Sequence, residues 1–313
     1  MNVATDTPRR RAEPIDGLLL LNKPAGLTSN QALQRVKRLL NAKKAGHTGS
    51  LDPAATGMLP LCFGEATKVC PYLLNADKTY RVTARLGIAT DTGDADGKEI
   101  DSVDVPTKSG EEWAEVLRTF MGESEQIPPM YSALKKNGKR LYELARKGIT
   151  VERDARPIRI DEIELIEAAG TRLVFRVRCS KGTYIRVLVE DIARSVGTVA
   201  HTARLHREGV GDFLAKDMLD LSALEADAVD GALVLQKRLM PPDTALTGLP
   251  AVTVSAGDGQ RFSVGQALVG HDSEPFGLVR VYDDEPRFLG VGEVSEGGTI
   301  APRRVFLAAE KKP

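Results

Sequence analysis

Residues 45–60 read AGHTGSLDPAATGMLP, with three glycines and two prolines among them. Glycine opens backbone conformations closed to other residues and proline removes freedom, so this density specifies a shaped loop rather than a regular element. Asp52 stands inside it, between Gly49 and the stiff Pro53. A carboxylate with an ordinary pKa of about 3.9 is ionised at neutral pH, as a nucleophile or base must be. Asp-Pro in a loop is more often a turn starter than a catalyst, so the loop needs company before it means chemistry.

Upstream of the loop, residues 15–21 read as a short buried strand, and Lys23-Pro24-Ala25-Gly26 as a turn. Thr28 or Ser29 caps a helix whose apolar positions Leu33, Val36, Leu39 and Leu40 recur at helical spacing, with Arg35, Lys37 and Arg38 on its other face. Downstream, alternation over residues 78–86 predicts a strand carrying Tyr80, Val82 and Ala84 on one side. The segment TDTGDADG from Thr90 is a polar loop. It makes no calcium site, because no glutamate stands at the twelfth position and no helix pair frames it.

A helix around residues 111–120 holds Trp113, the single tryptophan, and residues 127–148 open as an extended Pro-rich piece and continue as a basic helical segment. Two paired strands follow at 159–165 and 173–179. A helix at 185–196, with Val189, Ile192 and Ala193 inward, is entered by the turn at 180–183. Leu205 sits on a turn or short strand, before a helical, acidic stretch at 217–230. Past Pro241-Pro242 come five short apolar pieces, at 251–254, 261–264, 267–269, 277–281 and 287–291. They predict a separate small β-barrel or sandwich, with the boundary near residue 245.

Composition narrows the class. The chain has 313 residues, 42% of them hydrophobic and 27% charged, an ordinary globular balance. No apolar run approaches the roughly 20 residues of a membrane-spanning helix, and no apolar segment follows the polar, basic first sixteen residues. A cytoplasmic protein without membrane attachment is expected. Cys62, Cys70 and Cys179 with four histidines form neither a disulfide scaffold nor a zinc spacing. Lys plus Arg equals Asp plus Glu at 43 each, but the charge is sorted. Residues 1–50 and 135–159 each carry nine bases against three acids, while residues 91–125 carry eleven acids against three bases. Such sorting steers a polyanion to one surface.

Three side chains make chemical sense beside Asp52. Arg186 can pair with the carboxylate and orient it. Tyr80 can stack on a flat substrate with its hydroxyl available. His47 can stack on a base or hold a phosphate. Taken singly, each has an ordinary structural fate as surface ion pair, strand packing or turn residue.

Together they resemble a known family. GHTGSLDPAATGMLP, with GEATK at 64–68, resembles the signature of the TruB family of tRNA pseudouridine synthases. LNKPAGLTSN, KTYRVTARLGIATDTGDADG, IPPMYSALKKNGKRLYELARKG and RCSKGTYIRVLVEDIA follow it in order. The tail LVRVYDDEPRFLGVGEVSEGGTIAPRRVF resembles its C-terminal PUA domain, an RNA-binding module. The stretch TARLHREGVGDF departs from the family's arginine-rich pattern at His206, which leaves the roles of Arg204 and Arg207 open.

The resemblance implies an α+β pseudouridine synthase fold. Its central sheet is mixed and mainly antiparallel and flanked by helices, with a small barrel-like PUA domain at the C-terminus. Residues 1–13 read as a disordered basic tail, since nothing in them can anchor to a core; the resemblance implies a catalytic domain over 14–245 with an RNA-binding lid over 127–153, and a PUA-like domain over 246–313. The implied reaction converts uridine 55 of the tRNA T-arm to pseudouridine, with no cofactor and no metal. By resemblance Asp52 is catalytic, Arg186 its partner, and Tyr80 stacks under the flipped base. Tyr184, Leu205 and His47 line or fill the nucleotide site, while Lys23 steadies the catalytic loop. Met130 is a candidate lining residue, and Lys135, Lys136 and Arg146 contact phosphates. A monomer acting on tRNA without guide RNA or obligatory partner is expected. Two alternatives stand beside it: a guide-directed synthase of the same fold, and an RNA chaperone that only clamps the T-arm.

Overall fold

The computed structural model describes residues 12–270 and 275–306. The chain runs through β1 (Gly17–Lys23), α1 (Ser29–Leu39), β2 (Ala45–His47), β3 (Thr56–Phe63), α2 (Cys70–Asn75), β4 (Lys78–Leu86), β5 (Ile88–Thr90), β6 (Glu99–Ser102), α3 (Gly110–Arg118) and β7 (Gly122–Gln126). It continues through β8 (Lys135–Lys136), β9 (Lys139–Arg140), α4 (Leu141–Ala145), β10 (Arg156–Ala169), β11 (Arg172–Cys179), α5 (Ile185–Ser195) and β12 (Ala200–Val210). The last elements are β13 (Leu219–Asp220), α6 (Leu221–Val229), α7 (Ala232–Gln236), β14 (Ala251–Val254), α8 (Ala256–Ser263), β15 (Gly277–Asp283), β16 (Phe288–Val294) and β17 (Ile300–Val305).

Nine strands form one sheet in the order β13-β1-β3-β12-β4-β11-β10-β7, with β2 paired to β3 off that path. Only β1·β13 and β3·β12 are parallel, so the sheet is mixed and mainly antiparallel, as the sequence implies. In β1 four consecutive leucines, Leu18 to Leu21, are buried because both faces are covered. Leu19 and Leu21 meet α1 through Leu33 and Val36. Leu18 and Leu20 point the other way, toward Met58, Cys62 and Val69. α5 buries Leu188, Val189 and Ile192 in a cluster with Val82, Phe175, Trp113 and Leu117, which fixes its first turn above β4 and β11.

The β3·β12 pairing lasts only for His206↔Thr56 and Arg207↔Gly57. Gly57 has φ +100°, and a Cβ there would lie 2.3 Å from the Arg207 carbonyl oxygen, so the two strands can meet only at glycine. The loop bearing Asp52 leaves the sheet beside this short contact.

The structure corrects the sequence reading at the C-terminus. β14 to β17 form an open four-stranded sheet in that order, and no barrel closes among the described residues. Residues 261–264, expected as a strand, form the end of α8 and its C-cap Val264: Ser255 caps the start by accepting from the Asp258 N–H at 3.2 Å, and Phe262 is buried. Residues 267–269 reduce to a bridge between Leu268 and Ile300. The remaining edge strand, β17, escapes the apolar pattern because it carries Pro302, Arg303 and Arg304. This sheet packs on the larger unit through Val291 and Phe306, which join the cluster of Leu18, Met58 and Leu246.

Elsewhere the differences are local. Leu205 lies on the eleven-residue β12, not on a turn or short strand. The basic helical segment expected before residue 148 is a small hairpin, β8–β9, followed by the five-residue α4. Residues 1–11 of the expected tail lie outside the described residues, while Glu13 pairs with the chain at Asn41 and Lys43. No helix among the described residues is long and apolar enough to cross a membrane.

Candidate active site

Asp52 is held by its neighbours on both sides. The Ser29 hydroxyl accepts from the Leu51 N–H at 2.8 Å and lies 3.1 Å from the Leu51 carbonyl, to which it donates. Lys23, fully buried at the end of β1, gives its ammonium to the carbonyls of Pro24, Leu27 and Pro53 at 2.8, 2.7 and 3.2 Å. Gly26 N–H also reaches Pro53 O at 2.9 Å. The motif LNKPAGLTSN thus grips Leu51 and Pro53, the residues flanking Asp52. Burial lowers the pKa of Lys23 to about 8, with Asp52 opposing the shift.

Arg186 completes the arrangement from the first turn of α5. Its Nε lies 3.2 Å from Asp52 Oδ2, and its Nη1 lies 3.5 Å from Asp94 Oδ2. Nη1 donates to Thr92 O at 2.8 Å and Nη2 to Tyr131 O at 2.7 Å. The guanidinium side chain is 7% exposed against 48% for Asp52, so a fixed cation holds a carboxylate that faces open space. Burial pushes the Asp52 carboxyl above its ordinary value and Arg186 draws it back.

Asp52 separates two cavities. One, of about 340 Å³, is lined by Tyr80, Tyr184, Leu205, Arg186, Arg207 and the 131–133 segment. The other, of about 580 Å³, is lined on its far side by Arg81, Arg172, Arg204 and His206. The smaller has the dimensions and apolar-aromatic walls of a pocket for a flat base. The larger is walled by four arginines, Arg186 among them. Burial raises the Tyr80 phenol pKa, opposed by the Arg207 charge, and burial likewise raises that of Tyr184.

The structure therefore brings Asp52, Arg186, Tyr80, Tyr184 and Leu205 around one cavity. Lys23 lies beneath the loop and does not line that cavity. His47, on β2, is half-buried and also outside the lining; its Nδ1 has no hydrogen-bond partner, and burial holds its pKa low. Met130 is half-buried, while the following Tyr131, Ser132 and Ala133 form the wall. Lys135, Lys136 and Arg146 are exposed on the 127–153 insertion. Arg146 lies 5.4 Å from the Tyr142 ring centroid.

Five contributors escaped the sequence reading. Asp94 and Thr92 anchor Arg186 from the polar loop after Thr90, where clustered acids looked merely solvated. Ser29 was legible only as a possible cap. Gln126 trades two hydrogen bonds with the Tyr184 backbone, at 2.7 and 3.2 Å, tying the start of the insertion to the turn before Arg186. Arg207 is buried behind Tyr80. Among the described residues no group of His, Cys, Asp and Glu could hold a metal ion.

Comparison with known proteins agrees along the whole chain. Residues 37–185 match the TruB family pseudouridylate synthase N-terminal domain, and residues 186–247 match the tRNA pseudouridylate synthase B C-terminal domain. Residues 250–306 match the domain described as pseudouridine synthase II TruB, C-terminal. The chain is 50% identical over 299 residues to tRNA pseudouridine synthase B of Pseudomonas putida, covering 95% of this chain and 98% of that one. It is 47% identical over 308 residues to the Shigella boydii protein of that name, covering 96% and 98%. Among solved structures, a chain of a Cbf5-Nop10-Gar1 complex aligns with TM-score 0.71 and 26% identity over 93% of this chain and 85% of its own. A chain of an H/ACA ribonucleoprotein bound to a substrate RNA containing 2'-deoxyuridine has the same fold, with TM-score 0.71 at 24% identity over 95% and 87%.

Proposed function

The chain belongs to the TruB family of pseudouridylate synthases, and we propose that it converts uridine 55 in the T-arm of tRNA to pseudouridine, with Asp52 as the reacting group. The observation that carries the reading is the contact of Asp52 with a buried, fourfold-anchored Arg186 at the mouth of a base-sized cavity.

The bond from uracil N1 to ribose C1′ must break, and the base must turn and rejoin the same C1′ through C5. The base first has to leave its stack, which costs a few kcal/mol. Stacking on Tyr80 returns roughly 1–3 kcal/mol of that. Asp52 serves each of three routes: attack on C1′, addition to C6, or removal of the 2′ proton. All three need the ionised carboxylate that Arg186 favours. Tyr80 is the base for the C5 proton. Leu205 and Tyr184, with Tyr131 at the wall, exclude water and keep the detached uracil in place.

Lys23 steadies the loop from below. The insertion over 127–153 acts as a lid on the T-loop, with Lys135, Lys136 and Arg146 on phosphates. The catalytic unit spans 14–245, and the unit over 246–313 extends the RNA contact, with Arg304 exposed at its edge strand. The enzyme acts as a cytoplasmic monomer on free tRNA. Identity of 47–50% to bacterial tRNA pseudouridine synthase B favours this over a guide-directed enzyme. Purified protein should convert uridine 55 of an unmodified transcript with no partner protein or guide RNA. Failure on the bare transcript would overturn the stand-alone reading.

A further inference from the structure

Arg207 is the largest side chain buried below 2% exposure, at 1%. It makes no ion pair with an acid among the described residues. Its Nε donates to Met58 O at 2.6 Å and its Nη2 to Gly49 O at 2.7 Å, at the two ends of the Asp52 loop. Nη1 lies where a side chain at Gly49 would point, 3.2 Å from that Cβ position. Arg207 lines the 340 Å³ cavity and stands across the strand pair from Tyr80, and its charge opposes the burial that raises the Tyr80 phenol pKa. The other cations there are spoken for. Arg186 is shared between Asp52 and Asp94, and Lys78 gives its ammonium to the carbonyls of Leu73, Leu74 and Ala76.

Burying a cation without an acid is unfavourable, and the fold pays for this one at the wall of the base cavity. When the Asp52 carboxylate bonds to C1′ and N1–C1′ breaks, the bonding pair leaves with uracil as an anion spread over N1, O2 and O4. When C5 attacks C1′ a pair from the base forms the new C–C bond, the C1′–O bond returns its pair to Asp52, and the charge is lost from the base. A fixed positive charge held beside such a transient anion is effective because it needs no reorganisation. We propose that Arg207 is the counter-charge for the detached uracil, a role beyond its grip on the loop. The proposal rests on the reading of Asp52 as the reacting group.

The test compares Arg207→Gln and Arg207→Lys with wild type and Asp52→Asn in single-turnover reactions, after matching thermal melting and tRNA affinity. Substrates carry uridine or 5-fluorouridine at position 55, and loss of the parent nucleoside after digestion reports N1–C1′ cleavage. Fluorine stabilises the departing anion by induction. The Gln variant should slow cleavage of uridine about 100-fold and of 5-fluorouridine only about 10-fold, with Lys within about 10-fold of wild type. Equal losses on both substrates for Gln and Lys alike would reduce Arg207 to a loop clamp and overturn the proposal, as would a Gln variant at the wild-type rate. Should Gln fail to fold, Lys decides: within tenfold supports the counter-charge, and folded, tRNA-binding but 100-fold slower overturns it. If Asp52→Asn keeps full activity, the reading of Asp52 itself fails.

Discussion

Replacing Ser29 with alanine tests whether the catalytic loop is set from α1. The Ser29 hydroxyl is buried and meets both the N–H and the carbonyl of Leu51, one residue before Asp52. Removing it deletes two hydrogen bonds, worth about 1 kcal/mol each, and leaves two backbone groups partly unsatisfied. A loss of about 2–4 kcal/mol follows. Neighbouring Thr28 supplies the comparison. It caps the same helix by accepting from the Gln31 N–H at 3.1 Å but lies at the surface and touches nothing in the loop. Thr28→Ala should cost about 1 kcal/mol.

In a unit of this size 1 kcal/mol moves the melting temperature by roughly 2–4 °C, so the two variants should separate clearly in a thermal melt. Activity should separate them further. A small displacement of Asp52 slows the chemistry on the order of 10- to 100-fold, because reacting atoms must meet at near-contact distance. Release of tritium from C5-labelled uridine tRNA reads this directly, since the C5 proton is lost in every productive turnover. Thr28→Ala should keep the wild-type rate. A Ser29→Ala protein that melts no lower than Thr28→Ala, or that turns over normally, would refute the idea that α1 positions the loop.

Other consequences are equally open to measurement. Asp94→Asn removes one of the anchors of Arg186 and should lower the single-turnover rate roughly 10- to 100-fold while tRNA affinity in filter binding stays unchanged. Burial lowers the pKa of Lys78 to about 8. Above that pH the folded protein holds a neutral amine while the unfolded chain stays charged to about 10.4, so this lysine adds stability as pH rises. Chemical denaturation should show wild type gaining about 2 kcal/mol on Lys78→Met between pH 8 and 9.5. Replacing Lys135, Lys136 and Lys139 together with alanine should weaken tRNA binding and leave the rate at saturation intact. Its salt dependence should flatten by about 0.7–0.9 for each phosphate that the lysines no longer neutralise.

Much of the site was legible because its signals are local. Turn residues marked the Asp52 loop, alternation placed Tyr80 on β4, and apolar spacing placed Arg186 at the start of α5. What escaped depends on distant contacts. Asp94 looks like any loop acid until the fold sets it against Arg186, and Ser29 like any cap until Leu51 arrives. Arg207 was hidden by a misread element. On a strand Leu205 and Arg207 share a face while Arg204 and His206 take the other, but the stretch reads as a turn or short strand because charged residues interrupt its apolar pattern. The C-terminal sheet misled for the opposite reason: apolar residues in α8 look like strand pieces when only short windows are read, and β17 hides its pattern behind proline and arginine.

The most direct test of the central claim is base-resolved detection of pseudouridine at position 55 of a bare tRNA transcript, with wild type and Asp52→Asn side by side and tRNA binding measured for both. The account predicts conversion by wild type, none by the variant, and equal binding. Conversion by Asp52→Asn at the wild-type rate would contradict it.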